Sequence, residues 1–295
     1  MFISKNSSDK NTIFSSKQSI NCKGKLISLN KPLVMGILNI TEDSFFDGGI
    51  HNSEKNWLKQ TEKMLSEGAD IIDIGAASTR PRARLIPVND EIKTIKTSLQ
   101  SIRKEFPETI ISIDTYYSKV AEIAVNEGAD MINDISGGDI DKEMFETIAK
   151  LKVPYILMHI KGLPENMQLN TNYANILEEM MLYFSEKISK LKLLGVNDLI
   201  IDPGFGFGKT LEDNYKIMRQ LECFHFFELP ILVGISRKSM INKLLDIKPA
   251  EALNGTTSLN TIALMKGAKI LRVHDVKEAV ETVKIHEMLN FKSSV

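Results

Sequence analysis

Seven residues, Ile235-Ser236-Arg237-Lys238-Ser239-Met240-Ile241, follow a short apolar run at 230–234 and open a segment with helical periodicity. Arg and Lys side by side at a strand-to-helix turn place two cations beside N–H groups that have no partner within the helix. Such a turn suits an anion or an electron-rich ring. The same arrangement recurs with other polar groups. Asn39 follows the run at 33–38, Asp114 the run at 110–113, and Asn133 the run at 131–132. Asp202 and a glycine-rich stretch ending at Lys209 follow the run at 199–201, and His274 follows 270–273. A lone Asp after a strand is most often a helix cap. Asp, Asn and Asp after three strands, with Lys after a fourth, instead form a set that suits a neutral heterocycle carrying several N–H donors.

Eight short apolar runs position these groups, at 33–38, 71–74, 110–113, 131–132, 155–158, 199–201, 231–233 and 270–273. Between them lie amphipathic stretches such as 57–67, 90–106, 119–127, 176–194, 214–221 and 250–266. The phrase Glu67-Gly-Ala-Asp-Ile-Ile72 returns as Glu127-Gly-Ala-Asp-Met-Ile132 and as Lys266-Gly-Ala-Lys-Ile-Leu271. Each Gly is placed to end a helix in the left-handed conformation just before a strand. Near-continuously apolar strands alternating with helices predict a parallel sheet covered by helices. Eight such units predict a single closed (β/α)8, or TIM, barrel, which uses about 250 residues as one domain. No Gly-rich dinucleotide or phosphate loop follows the first strand, which argues against a nucleotide-binding fold. In such a barrel chemistry gathers where strands end, which is where the polar groups fall.

The chain has 295 residues, 37 Lys+Arg against 38 Asp+Glu, and a net charge of −1, so it carries no electrostatic footprint for nucleic acid or an anionic membrane. No apolar stretch approaches the ~20 residues of a membrane span. The two cysteines, Cys22 and Cys223, fit no zinc spacing and predict no disulfide framework, as expected in a reducing cytoplasm. Residues 1–20 are rich in Ser, Asn and Lys and read as a short disordered N-terminal extension, leaving the barrel at 21–295.

Seven blocks, in order, resemble the dihydropteroate synthases of folate biosynthesis. They are Met35-Gly-Ile-Leu-Asn-Ile-Thr-Glu-Asp-Ser-Phe-Phe-Asp-Gly-Gly49, Ser78-Thr-Arg-Pro81, Ser112-Ile-Asp-Thr115, Ile132-Asn-Asp-Ile135, Asp202-Pro-Gly-Phe-Gly-Phe-Gly-Lys209, Ser236-Arg-Lys-Ser-Met-Ile241 and Arg272-Val-His-Asp-Val276. The resemblance implies condensation of 6-hydroxymethyl-7,8-dihydropterin diphosphate with p-aminobenzoate, assisted by Mg2+. It implies that Asp114, Asn133 and Asp202 meet the donor edge of the pterin and Lys238 its ring acceptors, with Ile135, Met158, Phe207 and Gly234 around the ring. Asn39, Thr79, Arg80, Arg272 and His274 are expected to hold the diphosphate, with Asn39 turned toward Mg2+. Phe45, Thr79, Pro81, Phe207, Lys238 and Ser239 are expected to form the p-aminobenzoate pocket, joined by Asp43 and Ser44 as the first loops close. Asp114, Lys238 and Arg80 are the expected catalytic residues.

An aromatic amine is neutral at physiological pH, so no strong general base is required, and the expected route is dissociative. The chain departs from the usual family pattern at Glu42, Phe46, Ala77 and Arg82-Ala-Arg84, all on the first two loops. The resemblance further implies sulfonamides as inhibitors and a homodimer packed through helices of the C-terminal half. Two other readings stay open: a pterin-binding protein without turnover, and a methyltetrahydrofolate:corrinoid methyltransferase-like barrel.

Overall fold

The computed structural model describes residues 17–40, 50–76, 86–162, 167 and 171–290. A hairpin comes first, β1 (Ser19–Cys22) and β2 (Lys25–Ser28), paired antiparallel. Eight strands follow: β3 (Leu33–Asn39), β4 (Ile71–Gly75), β5 (Ile110–Asp114), β6 (Met131–Asp134), β7 (Tyr155–Met158), β8 (Leu199–Asp202), β9 (Leu232–Val233) and β10 (Ile270–Val273). All pair in parallel in the order β8-β7-β6-β5-β4-β3-β10-β9. A parallel bridge between Ile201 and Ile231 brings the two ends of that order together, so the sheet curls into a barrel. Each of the eight apolar runs read from the sequence overlaps one of these strands.

The helices between strands are α1 (Ile50–Ser66), α2 (Val88–Glu105), α3 (Ser118–Asn126), α4 (Met144–Leu151), α5 (Ile176–Leu193), α6 (Leu211–Arg219), α7 (Ser239–Leu245), α8 (Leu253–Met265) and α9 (Val276–Asn290). The stretch expected to be one helix over 250–266 is split, with a 3-10 turn at Pro249–Glu251 ahead of α8. The Gly-Ala-Asp phrase has a structural reason beyond its glycine. Asp70 and Asp130 accept the backbone N–H groups of Val34 and Ile111, at 2.8 and 2.9 Å, which ties each helix end to the neighbouring strand.

Side chains alternate between the faces of each strand. One face of the barrel wall joins the helices in a large apolar core that includes Val34, Ile72, Ile113, Leu157, Ile201 and Val273. The opposite positions make a second cluster inside the barrel: Met35, Ile71, Met131, Ile156, Ile200, Leu232 and Ile270. The hairpin plugs that interior from the N-terminal end, since Ile20, Cys22 and Leu29 are buried in the same cluster. Lys17 to Ile20, assigned to the tail by sequence, therefore belong to the folded body, and Lys17 pairs with Asp198 at 2.6 Å. A polar flank hid this: only Ile20 and Cys22 alternate inward in a stretch otherwise rich in Ser, Asn and Lys.

Candidate active site

Two residues beyond the apolar inner layer, the same strand faces carry polar groups. Ile71 is followed by Asp73, Ile110 by Ser112 and then Asp114, Met131 by Asn133, Ile200 by Asp202, and Ile270 by Arg272. The period of two fixes all of these on the inside, above the plug and near the C-terminal rim. Register sets Asp73 beside Ser112, and Asp114 beside Asn133.

Arg272 organises one wall. Its Nε donates to Asp73 at 2.7 Å and its Nη2 to Asp114 at 2.6 Å. The Asn133 amide donates to the same Asp73 oxygen at 3.2 Å. Asp73 is wholly buried and Asp114 nearly so. Isolated carboxylates there would be costly, and the shared guanidinium offsets part of that cost. Burial pushes the Asp114 carboxyl up to about 7, with Arg272 pulling it down and Asp73 and Glu91 adding to the rise.

The opposite wall is a loop. Asp202 ends β8 and accepts the Gly204 N–H at 2.7 Å. Burial raises its carboxyl, and Lys238 draws it back down. Lys238 leans over the Phe207 ring, 4.6 Å from its centre, and donates to the Phe205 carbonyl at 2.6 Å. Burial pulls the Lys238 ammonium down to about 8. Beside them an apolar cluster of Ile135, Met158, Phe207, Tyr116, Ile160 and Met167 lines the mouth. Gly234 packs against both cationic side chains; a Cβ there would stand 3.7 Å from the Arg272 Cβ and 3.9 Å from the Lys238 ammonium.

The expected pterin residues Asp114, Asn133, Ile135, Met158, Asp202, Phe207, Gly234 and Lys238 thus fall into two facing walls. Asn39 is exposed at the end of β3, and a Cβ on Gly75 would stand 3.8 Å from its amide oxygen and 3.4 Å from the Asp114 Cβ. His274 follows β10, with its backbone N–H at 3.2 Å and its Nδ1 at 3.1 Å from the Ser236 hydroxyl. Burial and the neighbouring Arg237 hold its imidazole down at about 4, so it is neutral near pH 7. Ser239 is exposed at the first position of α7. Phe45, Thr79, Arg80 and Pro81, with Asp43 and Ser44, lie outside the described residues, as do Glu42, Phe46, Ala77, Arg82 and Arg84.

One expectation is corrected. Arg237 and Lys238 do not form a pair of cations facing one anion. Arg237, at φ 58°, turns away and grips Asp275 with two hydrogen bonds, at 3.1 and 2.5 Å. Adjacent residues at a sharp turn point apart, and the left-handed backbone at Arg237 exaggerates this. The grip ties the turn after β9 to the turn after β10. Sequence reasoning missed Asp73 as well, because it sits inside an apolar run; an acid at an inward position of a buried strand was the available signal. It also missed Glu91, whose carboxyl is fully buried.

No group of three or more His, Cys, Asp or Glu able to hold a metal occurs among the described residues. Asn39 offers a single amide oxygen. That donor set suits a Mg2+ carried largely by a substrate's own oxygens, since Mg2+ keeps waters and needs few protein ligands.

The model of the pterin binding enzyme family matches residues 35–274. The dihydropteroate synthase of Escherichia coli (strain K12) is 43% identical over 267 residues, covering 90% of this chain and 94% of that protein. A Yersinia pestis dihydropteroate synthase solved with a sulfonamide drug superposes with a TM-score of 0.86 at 40% identity, covering 92% of this chain and 99% of that one. A Xanthomonas albilineans dihydropteroate synthase solved with 4-aminobenzoic acid gives a TM-score of 0.87 at 32% identity, over 94% and 100% of the two chains. With the strand-borne acids, the glycine loop and the Lys238 turn gathered at one end of the barrel, the chain belongs to the pterin-binding enzyme family, as a dihydropteroate synthase.

Proposed function

We propose that this pocket joins 6-hydroxymethyl-7,8-dihydropterin diphosphate to p-aminobenzoate, giving 7,8-dihydropteroate and diphosphate. The observation that carries the reading is the inward layer of Asp114, Asn133 and Asp202 facing Lys238, with Ile135, Met158 and Phe207 beside it. The carboxylates and the Asn133 carbonyl accept from the N–H edge of the pterin, and Lys238 donates to its ring acceptors. These interactions replace the water that burial removes.

The C–O bond at the pterin methylene breaks, and its electron pair leaves with the diphosphate. The cationic methylene that remains is stabilised by the carboxyl groups of Asp114 and Asp202, whose charged forms it favours. The neutral aniline nitrogen then forms the C–N bond and releases its proton to solvent or to the departed diphosphate. His274, neutral in the free protein, and Arg272 stand at the edge where the diphosphate would lie. Asn39 would contribute to holding Mg2+, which supplies neutralising charge to the leaving group. Arg80 and Thr79 are proposed to complete the diphosphate site, and Phe45, Pro81 and Ser239 the p-aminobenzoate site.

The test is diphosphate release from the purified protein given pterin diphosphate and Mg2+, with and without p-aminobenzoate. Release that depends on p-aminobenzoate, with dihydropteroate formed, is expected; pterin binding without release would overturn the reading. A secondary α-deuterium effect near unity at the methylene would overturn the dissociative route. The p-aminobenzoate site predicts competitive inhibition by sulfonamides, checked against varied p-aminobenzoate.

We also place the protein in the cytoplasm as a homodimer. Both cysteines are free thiols, with Cys22 buried beneath the barrel. Leu253, Ile262 and Met265 on α8, with Ile285, Met288 and Leu289 on α9, leave apolar side chains exposed on neighbouring helices. Sedimentation of a monomer at micromolar concentration would overturn the dimer.

A further inference from the structure

Residues 204–208 form the loop that presents the Phe205 carbonyl and the Phe207 ring to Lys238, yet they have no regular secondary structure. Three of the five are glycines at positive φ, 66°, 82° and 62°. A chain so rich in glycine loses much entropy when it is ordered, so something specific must hold it.

Two buried side chains do so from within. Lys209 Nζ donates to three carbonyls, those of Gly204 at 2.8 Å, Phe207 at 3.0 Å and His159 at 3.1 Å. The first two belong to the loop; the third belongs to the turn after β7. An ammonium has three N–H bonds, and all three are used here. Asn214, on the first turn of α6, accepts the Gly206 N–H at 2.7 Å and donates to the Thr210 carbonyl at 2.6 Å. Both side chains are nearly inaccessible, 4% and 2% exposed. The loop is also pressed onto the β7 turn: a Cβ on Gly204 would stand 2.1 Å from the His159 carbonyl oxygen. Lys209 closes the motif that ends the glycine run, and the condensation reaction assigns it no task.

We infer that Lys209 and Asn214 are positioning residues of the substrate pocket, which fix the 204–208 loop from inside so that the Phe207 ring and the Phe205 carbonyl meet Lys238. This rests on the reading that Phe207 and Lys238 wall the p-aminobenzoate end of the pocket. Without the Lys209 ammonium three carbonyls lose a charge-assisted donor, and the loop gains conformers in which Phe207 no longer covers the pocket. The loss is then felt in capture of the substrate more than in the chemical step.

Lys209→Met, Lys209→Ala and Asn214→Ala, with Phe207→Ala for reference, would be compared by steady-state kinetics and thermal unfolding. Both Lys209 variants should raise KM for p-aminobenzoate about tenfold with a much smaller change in kcat, and Asn214→Ala about threefold in the same direction. In Lys209→Ala, added ethylammonium should recover part of the lost KM, and tetramethylammonium, which has no N–H, should not. Unchanged KM in folded Lys209 and Asn214 variants, or equal effects of the two amines, would overturn the proposal. Should the Lys209 variants fail to fold, Asn214→Ala decides: an unchanged KM overturns it. An unchanged KM in Phe207→Ala, with KM raised by the Lys209 variants, would fault the Phe207 reading rather than the anchoring.

Discussion

On one side of the pocket Asp73, Asp114 and Asn133 stand on three adjacent strands and share a guanidinium. On the other, the Phe205 carbonyl and the Phe207 ring stand on a glycine-rich loop held by Lys209 and Asn214. The strand wall is placed by parity and register, so its members cannot move without unzipping the sheet. Its weakness is electrostatic, because acids this deep need their cation. The loop wall is placed by side-chain tethers to backbone groups. Its weakness is conformational, because loosening one tether frees a segment with little intrinsic stiffness. Damage to the first wall should therefore appear in stability, and damage to the second in substrate capture.

The strongest test of that contrast is Arg272→Met, which strands two buried carboxylates. Losses of about 3–5 kcal/mol accompany such broken pairs, and urea unfolding should show a loss in that range; a change under about 1 kcal/mol would remove the electrostatic account of this wall.

Glu91 sharpens the same point through pH. Burial raises its carboxyl to about 7. The neutral form is thus favoured in the folded state, so the stability it contributes is complete below about pH 4.5 and is lost as pH rises through about 7. The loss is on the order of 3 kcal/mol. Glu91→Gln removes that titration, so the variant should gain stability relative to the parent between pH 5 and pH 8. A constant difference across that range would contradict it.

On the loop wall, Gly204→Ala should be worse than Gly24→Ala. Both glycines have positive φ, and a Cβ on Gly24 meets nothing within 4 Å, whereas one on Gly204 strikes the His159 carbonyl. The expected cost is about 1 kcal/mol for Gly24→Ala, from backbone strain alone, and at least twice that for Gly204→Ala. Equal melting temperatures for the two would deny the loop its close approach.

The smallest effect concerns His274, which follows β10 and contacts the Ser236 hydroxyl. Its imidazole, held down at about 4, is neutral in the free protein at pH 6, and a bound diphosphate would favour the charged form. Binding of pterin diphosphate at pH 6 should take up a fraction of a proton, seen in calorimetry as a buffer-dependent enthalpy and absent in His274→Asn.

Much of this molecule is readable from residue order. Runs of Ile, Leu and Val broken by Gly-Ala-Asp phrases specify parallel strands and the helices that return between them. Polar residues placed just past those runs mark one rim as the reactive one. Asp114, Asn133 and Asp202 were legible on that ground, each standing at or just before a strand end, and Lys238 was legible at the strand-to-helix turn that follows β9. Asp73 was not, because its neighbours Ile72 and Ile74 face the helices and make the strand look uniformly apolar. The inward parity that exposes it as a pocket residue becomes evident only when several strands are aligned.

Local sequence thus determined which segments become strands and helices, through hydrophobic period and glycine placement, which act over a few residues. Tertiary structure alone decided who pairs with whom. Arg272 meets Asp73 across 199 positions of chain because barrel closure sets β10 beside β3 and, through it, near β4. Arg237 is lost to Asp275 while its neighbour Lys238 faces the pocket, a choice made by one left-handed residue. Lys209 looked like the end of a glycine motif, and only folding gathered three carbonyls around it. Buried charges seek partners in space, and spatial neighbours are set by closure of the sheet, which no local pattern encodes.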